Sequence, residues 1–529
     1  MSFVPPPPPP PPPPGNPDDS AGSEPDDPDV SSWILGAERT GAQPPAWIPP
    51  SPPRRSSRGR TVATIALIVV IAVAGGGLVV AWRDDGPDYP ASWDPRITEL
   101  VEYAQDARDL KFKHPVHVDF LDEAAFVETL QPDETELDDD AQRQQDESDR
   151  QAVGYFRAIG LLEGDVELRA EAQELADAGT LAYYDPGAER VVIRGTTLDL
   201  ATQVTVVHEL VHVLQDQHFD LSALTEEAEA ESWVDPDGII EGDARRIEYE
   251  FVDDLSSDEQ EEYEAQSADD GDPDALDEVP LILRLIRAAP YETGSQFVSI
   301  LAADDGNRSV DAAFTTPPRT EEQLFDPSSF DRRALARDVA EFPTVEPDDL
   351  IYPDEEFGPM GWLLMLGEQI DTRTAMKAAL GWGGDRTRAI EDDGRVCVEL
   401  RFIGDSESDE QEMYGALRAW RRAIPHGDDV DVRQRADFVE VRACDPGADV
   451  SGITTDRSEY AFGRQIQRLS FIEFALTDAG FDADLDEATC IADGIAFALT
   501  DDELQADDLG PASTRAVARV MQSCLPNQS

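Results

Sequence analysis

The stretch Val206 to Phe219, V-V-H-E-L-V-H-V-L-Q-D-Q-H-F, constrains this chain more than any other. His208 and His212 are four apart, so on a helix they share one face, about 40° from superposition. Glu209 follows the first histidine. In an H-E-x-x-H arrangement two imidazoles hold a zinc ion, Zn2+, and the glutamate stands beside the open metal position as general base. Val204, Val206, Val207, Leu210, Val211, Val213 and Leu214 make the helix largely buried, which suits a site that must hold its ligands rigidly. The bland alternative is a core helix with two satisfied histidines. The chain has only 6 His, and an apolar helix rarely buries two of them beside a glutamate.

A chain of 529 residues is too long for one core, so two or three folded units with tails are expected. Its charge is extreme, Lys+Arg 42 against Asp+Glu 112, net -70. Phosphate contacts need clustered Lys and Arg, so nucleic acid is not an expected partner. Residues 1–60 are low-complexity, with an unbroken proline run from Pro5 to Pro14 and a second Pro-rich patch from Pro44 to Pro53. Such a tail cannot bury enough apolar surface to fold and samples polyproline II. It reads as a stiff spacer; the other reading is a ligand for an SH3- or WW-like groove, a Pro-rich-motif binder in the cytoplasm.

Thr61 to Trp82 is uncharged and long enough to cross a bilayer as one transmembrane helix. Arg54, Arg55, Arg58 and Arg60 precede it, so the expectation is a single-pass cell-membrane protein, N-terminus cytoplasmic and everything after Trp82 outside the cell. Cys397, Cys444, Cys490 and Cys524 all follow that run. An even number there suggests two disulfides, and neighbours are favoured: Cys397–Cys444 and Cys490–Cys524.

After a linker, 83–96, Ile97 to Leu110 looks helical and His114 to Phe120 alternates like a strand, with His114 and His117 read as strand-face residues. Ala152 to Ala178 has helical spacing with a break near Gly164. Tyr183 to Gly195 reads as a hairpin around Asp185-Pro186-Gly187. Asp253 to Asp277 is dominated by acids and reads as solvated or disordered. Leu281 to Phe314 returns to helical spacing, and there Tyr291 is a candidate oxyanion donor; its other reading is a core aromatic at a helix start. From Phe342 the texture changes. Met360 to Leu380 reads as a helix and Gly381 to Asp385 as a tight loop. Strands at Val396–Phe402 and Phe438–Ala443 flank a helix from Asp409 to Arg422, and Tyr460 to Ser529 is helical.

Downstream of the histidines stands Glu241-Gly242-Asp243-Ala244, opening a second helix. H-E-L-V-H-V-L-Q-D-Q-H-F-D-L followed by E-G-D-A resembles the gluzincin zinc metallopeptidases, in particular the bacterial peptidase MA-like group. The segments Ala289 to Gly294 and Pro317 to Gln323 resemble stretches of such proteins too. The likeness covers roughly 183–330, and its strong part runs from His208 to Ala244. It implies Glu241 as third zinc ligand, with Gly242 and Ala244 letting two helices pack closely. It also implies a strand before the histidine helix whose free edge holds extended substrate.

His218 is the competing third ligand, at the spacing metzincins use. In those a glycine turns the chain out of the helix; here that position is Gln215. If the helix continues, His218 is rotated by about 600° and lies about 9 Å further along the axis, out of reach. Glu241 is therefore favoured.

These readings combine into an α+β fold: a mainly helical zincin-type catalytic domain with a small mixed sheet, a small α+β unit, a helical C-terminal unit and one N-terminal transmembrane helix. The expected boundaries are 1–60, 61–82, 83–96, 97–341, 342–450 and 451–529. The expected function is a membrane-anchored extracytoplasmic zinc endopeptidase acting on a peptide or protein substrate. His208, His212 and Glu241 hold the metal, and Glu209 is the base. The alternative is a surface-anchored, zinc-stabilised binding or structural protein without proteolytic activity.

Overall fold

The computed structural model of the chain describes residues 89–130, 139–269, 279–478, 483–506 and 509–525. In chain order, helix α1 (Thr98–Arg108) leads into strand β1 (His117–Leu121). A short helix, Glu123–Leu130, and two longer ones follow, α2 (Asp139–Ile159) and α3 (Leu168–Gly179), with the expected break between the longer two containing Gly164 in the left-handed region. The hairpin β2 (Ala182–Asp185) and β3 (Arg190–Arg194) turns where expected, with Asp185 Oδ1 accepting the Gly187 and Ala188 N–H groups. The histidine helix is α4 (Leu200–Phe219). Asp199 caps it by accepting from Thr202 N, and Asp220 ends it at φ 55.

The first sheet has the order β1-β3-β2, β1 parallel and β2 antiparallel to β3, so it is small and mixed. Its residues Ala182, Tyr184, Val191 and Ile193 pack on Val206, Val207, Leu210 and Val211 of α4 and on Leu100, Val101 and Ala104 of α1. That sandwich holds the histidine helix from two sides.

A helix over Leu221–Glu231 intervenes before α5 (Asp237–Asp253), which begins one turn before Glu241. The acidic stretch after it forms a helix, α6 (Ser257–Asp269), where a solvated or disordered segment was expected; most of its residues are exposed, so a helix here still satisfies its charges with water. Then come α7 (Leu281–Asp305) and α8 (Asn307–Thr315), divided at Gly306. Helices α5 and α7 touch backbone to backbone. A Cβ on Gly242 would lie 2.3 Å from the Gly294 carbonyl carbon, and one on Gly294 would lie 2.1 Å from Gly238 O. Gly242 therefore serves the contact with α7, while Ala244 packs among the residues of α4.

A second sheet, order β4-β5-β6-β8-β7, is antiparallel throughout. Its strands are β4 (Leu350–Glu355), β5 (Trp382–Asp392), β6 (Arg395–Gly404), β7 (Val430–Gln434) and β8 (Val439–Cys444). The expected helix Met360–Leu380 is two helices, α9 (Gly358–Gln369) and a shorter one over Thr372–Leu380 that Asp371 caps, and the expected tight loop at Gly381–Asp385 is the start of β5. The reason is Asp385. Its carboxylate accepts from Phe357 N, Gly358 N and the indoles of Trp362 and Trp382 at 2.7–3.0 Å, which pins the strand to the start of α9. Helix α10 (Glu407–Ala423) covers this sheet, and α11 (Arg457–Thr477), α12 (Leu485–Ala498) and α13 (Pro511–Cys524) close the chain. Cys397 and Cys444 stand opposite each other on β6 and β8 and are bonded; Cys490 and Cys524 join α12 to α13.

The largest apolar core crosses the sequence. Phe156, Leu162 and Leu175 of the α2–α3 region share it with Val398, Leu400, Phe402, Val439 and Val441 of the second sheet. Arg157 on α2 pairs with Asp445 through two bonds of 2.8 and 2.6 Å.

The α+β character stands, but the membrane helix of the expected fold class does not. Among the described residues no helix is long and apolar enough to cross a membrane. The long ones that are buried carry charge, Glu209 and Asp216 in α4, Arg284 and Glu292 in α7, because they serve a protein core. Thr61–Trp82, on which the expectation fell, lies outside the described residues, as does the Pro-rich tail. The single-pass placement, cytoplasmic N-terminus and extracytoplasmic remainder, rested on that helix and is withdrawn with it.

Candidate metal centre

Helices α4 and α5 bring three ligand atoms together. His208 Nε2 lies 3.0 Å from His212 Nε2 and 3.2 Å from Glu241 Oε2, and His212 Nε2 lies 3.3 Å from that same oxygen. A tetrahedral zinc with bonds near 2.0–2.1 Å has ligand–ligand edges of about 3.3 Å, so the triangle has the size the ion requires. These are the only described His, Cys, Asp or Glu side chains grouped as a metal ion would need them.

The protons of the two rings are fixed from behind. His208 Nδ1 faces Glu248 Oε2 at 3.0 Å, and His212 Nδ1 faces Gln215 Oε1 at 2.9 Å. Both partners are acceptors, so each Nδ1 carries hydrogen and each Nε2 of the neutral ring presents a lone pair. Two such lone pairs and a carboxylate oxygen converge in a buried space, and the second oxygen, Glu241 Oε1, has no hydrogen-bond partner there. Such a cluster is tolerable only around a cation. The residues present fit a metal ion.

The electrostatics point the same way. Burial works to lower the His208 pKa, but Glu241 and Glu248 outweigh it and raise it to about 10. His212 is raised as well, burial again being outweighed by Glu241. Burial alone would raise Glu241; His212 and His208 hold it down to about 2. The cluster thus demands positive charge, from protons or from a metal.

Glu209 is buried beside these groups and close enough to feel His212, His208 and Glu241. One of its oxygens accepts the Tyr184 main-chain N–H at 2.7 Å. Burial pushes its pKa up to about 7, partly offset by the two imidazoles. The site is closed: Glu241 is 1% exposed, Glu209 2%, and His212 at 7% is the most open member.

Tyr291 is buried inside α7, just after Pro290, and not at a helix start. Its ring lies parallel to that of His208 within 27°, centroids 6.1 Å apart. Burial and the nearby Glu241 carboxylate push its hydroxyl pKa well above the usual value, so the hydroxyl keeps its proton. His218 takes no part. Helix α4 continues through it, and its Nε2 meets Lys111 O at 2.9 Å. His114 stacks on Tyr89 and His117 lies on β1, both outside the cluster.

Five residues behind the ligands were not singled out from the sequence as having a role there. Glu248 is held by Arg245 at 2.6 Å, and Gln215 is held by Asp243, which is paired in turn with Arg108 at 2.7 Å. The spacing of His212 and Gln215, three apart, and of Glu241 and Glu248, seven apart, puts each pair on one helix face. That signal was available. Arg108, 135 residues from Asp243, gave none.

Compared with known proteins, the chain matches no family model, no curated protein and no solved structure.

Proposed function

We propose that the chain is a zinc-dependent endopeptidase of the gluzincin kind. The observation that carries this reading is the convergence of His208, His212 and Glu241 with a buried carboxylate, Glu209, that ligates nothing. His208, His212 and Glu241 would hold zinc there, and the ion would supply Lewis acidity and a lowered pKa for an attacking water. Glu209 takes the proton of the attacking water on its carboxylate and delivers it to the nitrogen of the leaving amine. The Tyr184 N–H keeps the carboxylate aimed, and its displaced pKa suits a group that must both accept and return a proton. The Tyr291 hydroxyl, which keeps its proton on a ring whose centroid is 6.1 Å from that of His208, is the donor we assign to the developing oxyanion. Strand β2 lies at the edge of its sheet, which supports binding of an extended peptide alongside it.

One observation favours a second reading. The burial of all four residues suits an ion kept for stability in a protein that binds or scaffolds. A single experiment separates the two. The purified chain is loaded with zinc and given a mixed library of quenched fluorescent peptides, with and without chelator. Cleavage that needs zinc and Glu209 supports the peptidase. Stoichiometric zinc with no cleavage, and a large loss of thermal stability on chelation, supports the scaffold.

A further inference from the structure

His208 and His212 are held by different chemistry. Behind His208 stands a carboxylate, Glu248, which when ionised can only accept. Behind His212 stands an amide, Gln215, which can accept or donate depending on which way round it lies. Turned over, it would offer its NH2 to Nδ1. The ring would then keep its lone pair there and carry hydrogen on Nε2, aimed at His208 and Glu241, and the site would be closed to metal.

What fixes the amide is a polar chain reaching away from the site. Gln215 Nε2 donates to Ile240 O at 2.9 Å and to Asp243 Oδ2 at 3.1 Å, two atoms that only accept. Overturning it would set its oxygen against both. Asp243 is held by Arg108 Nε at 2.7 Å and by Arg246 Nη2 at 3.2 Å, and the side chains of Asp243 and Arg108 are wholly buried. Arg108 reaches on to Asp311 at 2.6 Å, at the edge of the protein. No solvent reaches Gln215 to offer it another partner.

We propose that Gln215 is a positioning residue that selects the metal-ready tautomer of His212, and that Asp243, clamped by Arg108, selects the orientation of Gln215. This rests on the metal reading of the site. It is independent of whether the ion is used for proteolysis.

The test uses the full chain and two readouts besides activity: zinc affinity by chelator competition, and the solvent-shielded imidazole N–H resonance of 15N-histidine-labelled, zinc-loaded protein. The thermal midpoint of the metal-free protein serves as the fold control. Arg108 Nε and Gln215 Nε2 share one oxygen of Asp243, Oδ2, and Arg246 takes the other. Asp243→Leu is nearly isosteric, touches no ligand and removes the acceptor that holds the Gln215 NH2. Zinc affinity should fall about 10–100-fold, the range for lost partners of metal ligands, and the His212 N–H resonance should vanish. Gln215→Leu should do the same. Asp243→Asn is the contrast: its oxygen stays where Arg108 and Gln215 both donate and its NH2 turns to the Arg246 side, so affinity and resonance should stay near wild type. Wild-type affinity in both leucine variants overturns the proposal, as does an Asp243→Asn variant as weak as Asp243→Leu. A wild-type chain that binds no zinc overturns the metal reading itself.

Discussion

Tyr184 and Glu209, 25 residues apart, are joined by one hydrogen bond of 2.7 Å from a strand N–H to a helix carboxylate. The bond ties the edge of the first sheet to the buried carboxylate beside the candidate metal ligands. A glutamine at position 209 can turn its amide oxygen to the same N–H, so the local fold survives the change. Glu209→Gln is expected to keep its zinc and its thermal midpoint while losing peptidase turnover by about 10²–10⁴-fold. Zinc content and turnover on one preparation check it; unchanged turnover removes Glu209 from the mechanism.

The third ligand is tested by contrast. Glu241→Ala should lose zinc affinity by orders of magnitude, since Glu241 Oε2 faces both imidazole nitrogens. His218→Ala removes a bond to Lys111 O at the far end of α4 and should change affinity little. Chelator competition on the two variants reads this directly, and the reverse order would assign the site to His218.

Metal removal should make stability depend on pH in a stated direction. His208 rises from 6.5 unfolded to about 10 folded, so its contribution is complete below pH 6.5 and is lost as pH climbs through about 10. Glu209 rises from 4.5 to about 7, so the folded state is also penalised as pH rises across that interval. Glu241, lowered to about 2, adds stability above pH 4.5 that disappears only in stronger acid. The thermal midpoint of the chelated protein should therefore fall from pH 4.5 through pH 10. Zinc binds neutral imidazoles, so its stabilising effect should grow over the same range. A chelated protein that gains stability at alkaline pH would contradict these environments.

The glycine contact between α5 and α7 gives a steric prediction. The Cβ of Gly294→Ala would meet Gly238 O at 2.1 Å and Gly242 Cα at 3.2 Å, both main-chain atoms that cannot swing aside. The cost should be at least about 1–3 kcal/mol, the range for overpacked sites. Zinc affinity should fall with it, because Glu241 precedes Gly242. Gly463→Ala in α11, with open space at its Cβ, is the control and should be neutral or slightly stabilising. Thermal melts and zinc titration of both variants decide it.

The candidate metal triangle was legible because two of its members share one helix face and the third came with a motif. The hairpin, the strands at 396–402 and 438–443, and both disulfides were legible from alternation, turn residues and the even number of cysteines. Strands β4 and β5 were not. Gly381-Trp382-Gly383-Gly384 carries turn composition, and only the distant indole and main-chain donors around Asp385 make it a strand. The acidic helix α6 was missed because charge density argues against a buried core and says little about an exposed helix. The clamp from Arg108 to Gln215 depends on contacts 135 residues apart, which no local pattern encodes.

Helices α2 and α3 share their core with strands that follow much later in the sequence. A ribosome adding about 5–20 residues per second needs roughly 10–35 seconds to go from Gly179 to Tyr352. Throughout that interval Phe156, Leu162 and Leu175 have been made and their partners on the second sheet have not. The newborn chain therefore waits with an apolar face that lacks its second-sheet partners, and a holding chaperone that recognises such faces has its opportunity there, before the second sheet exists.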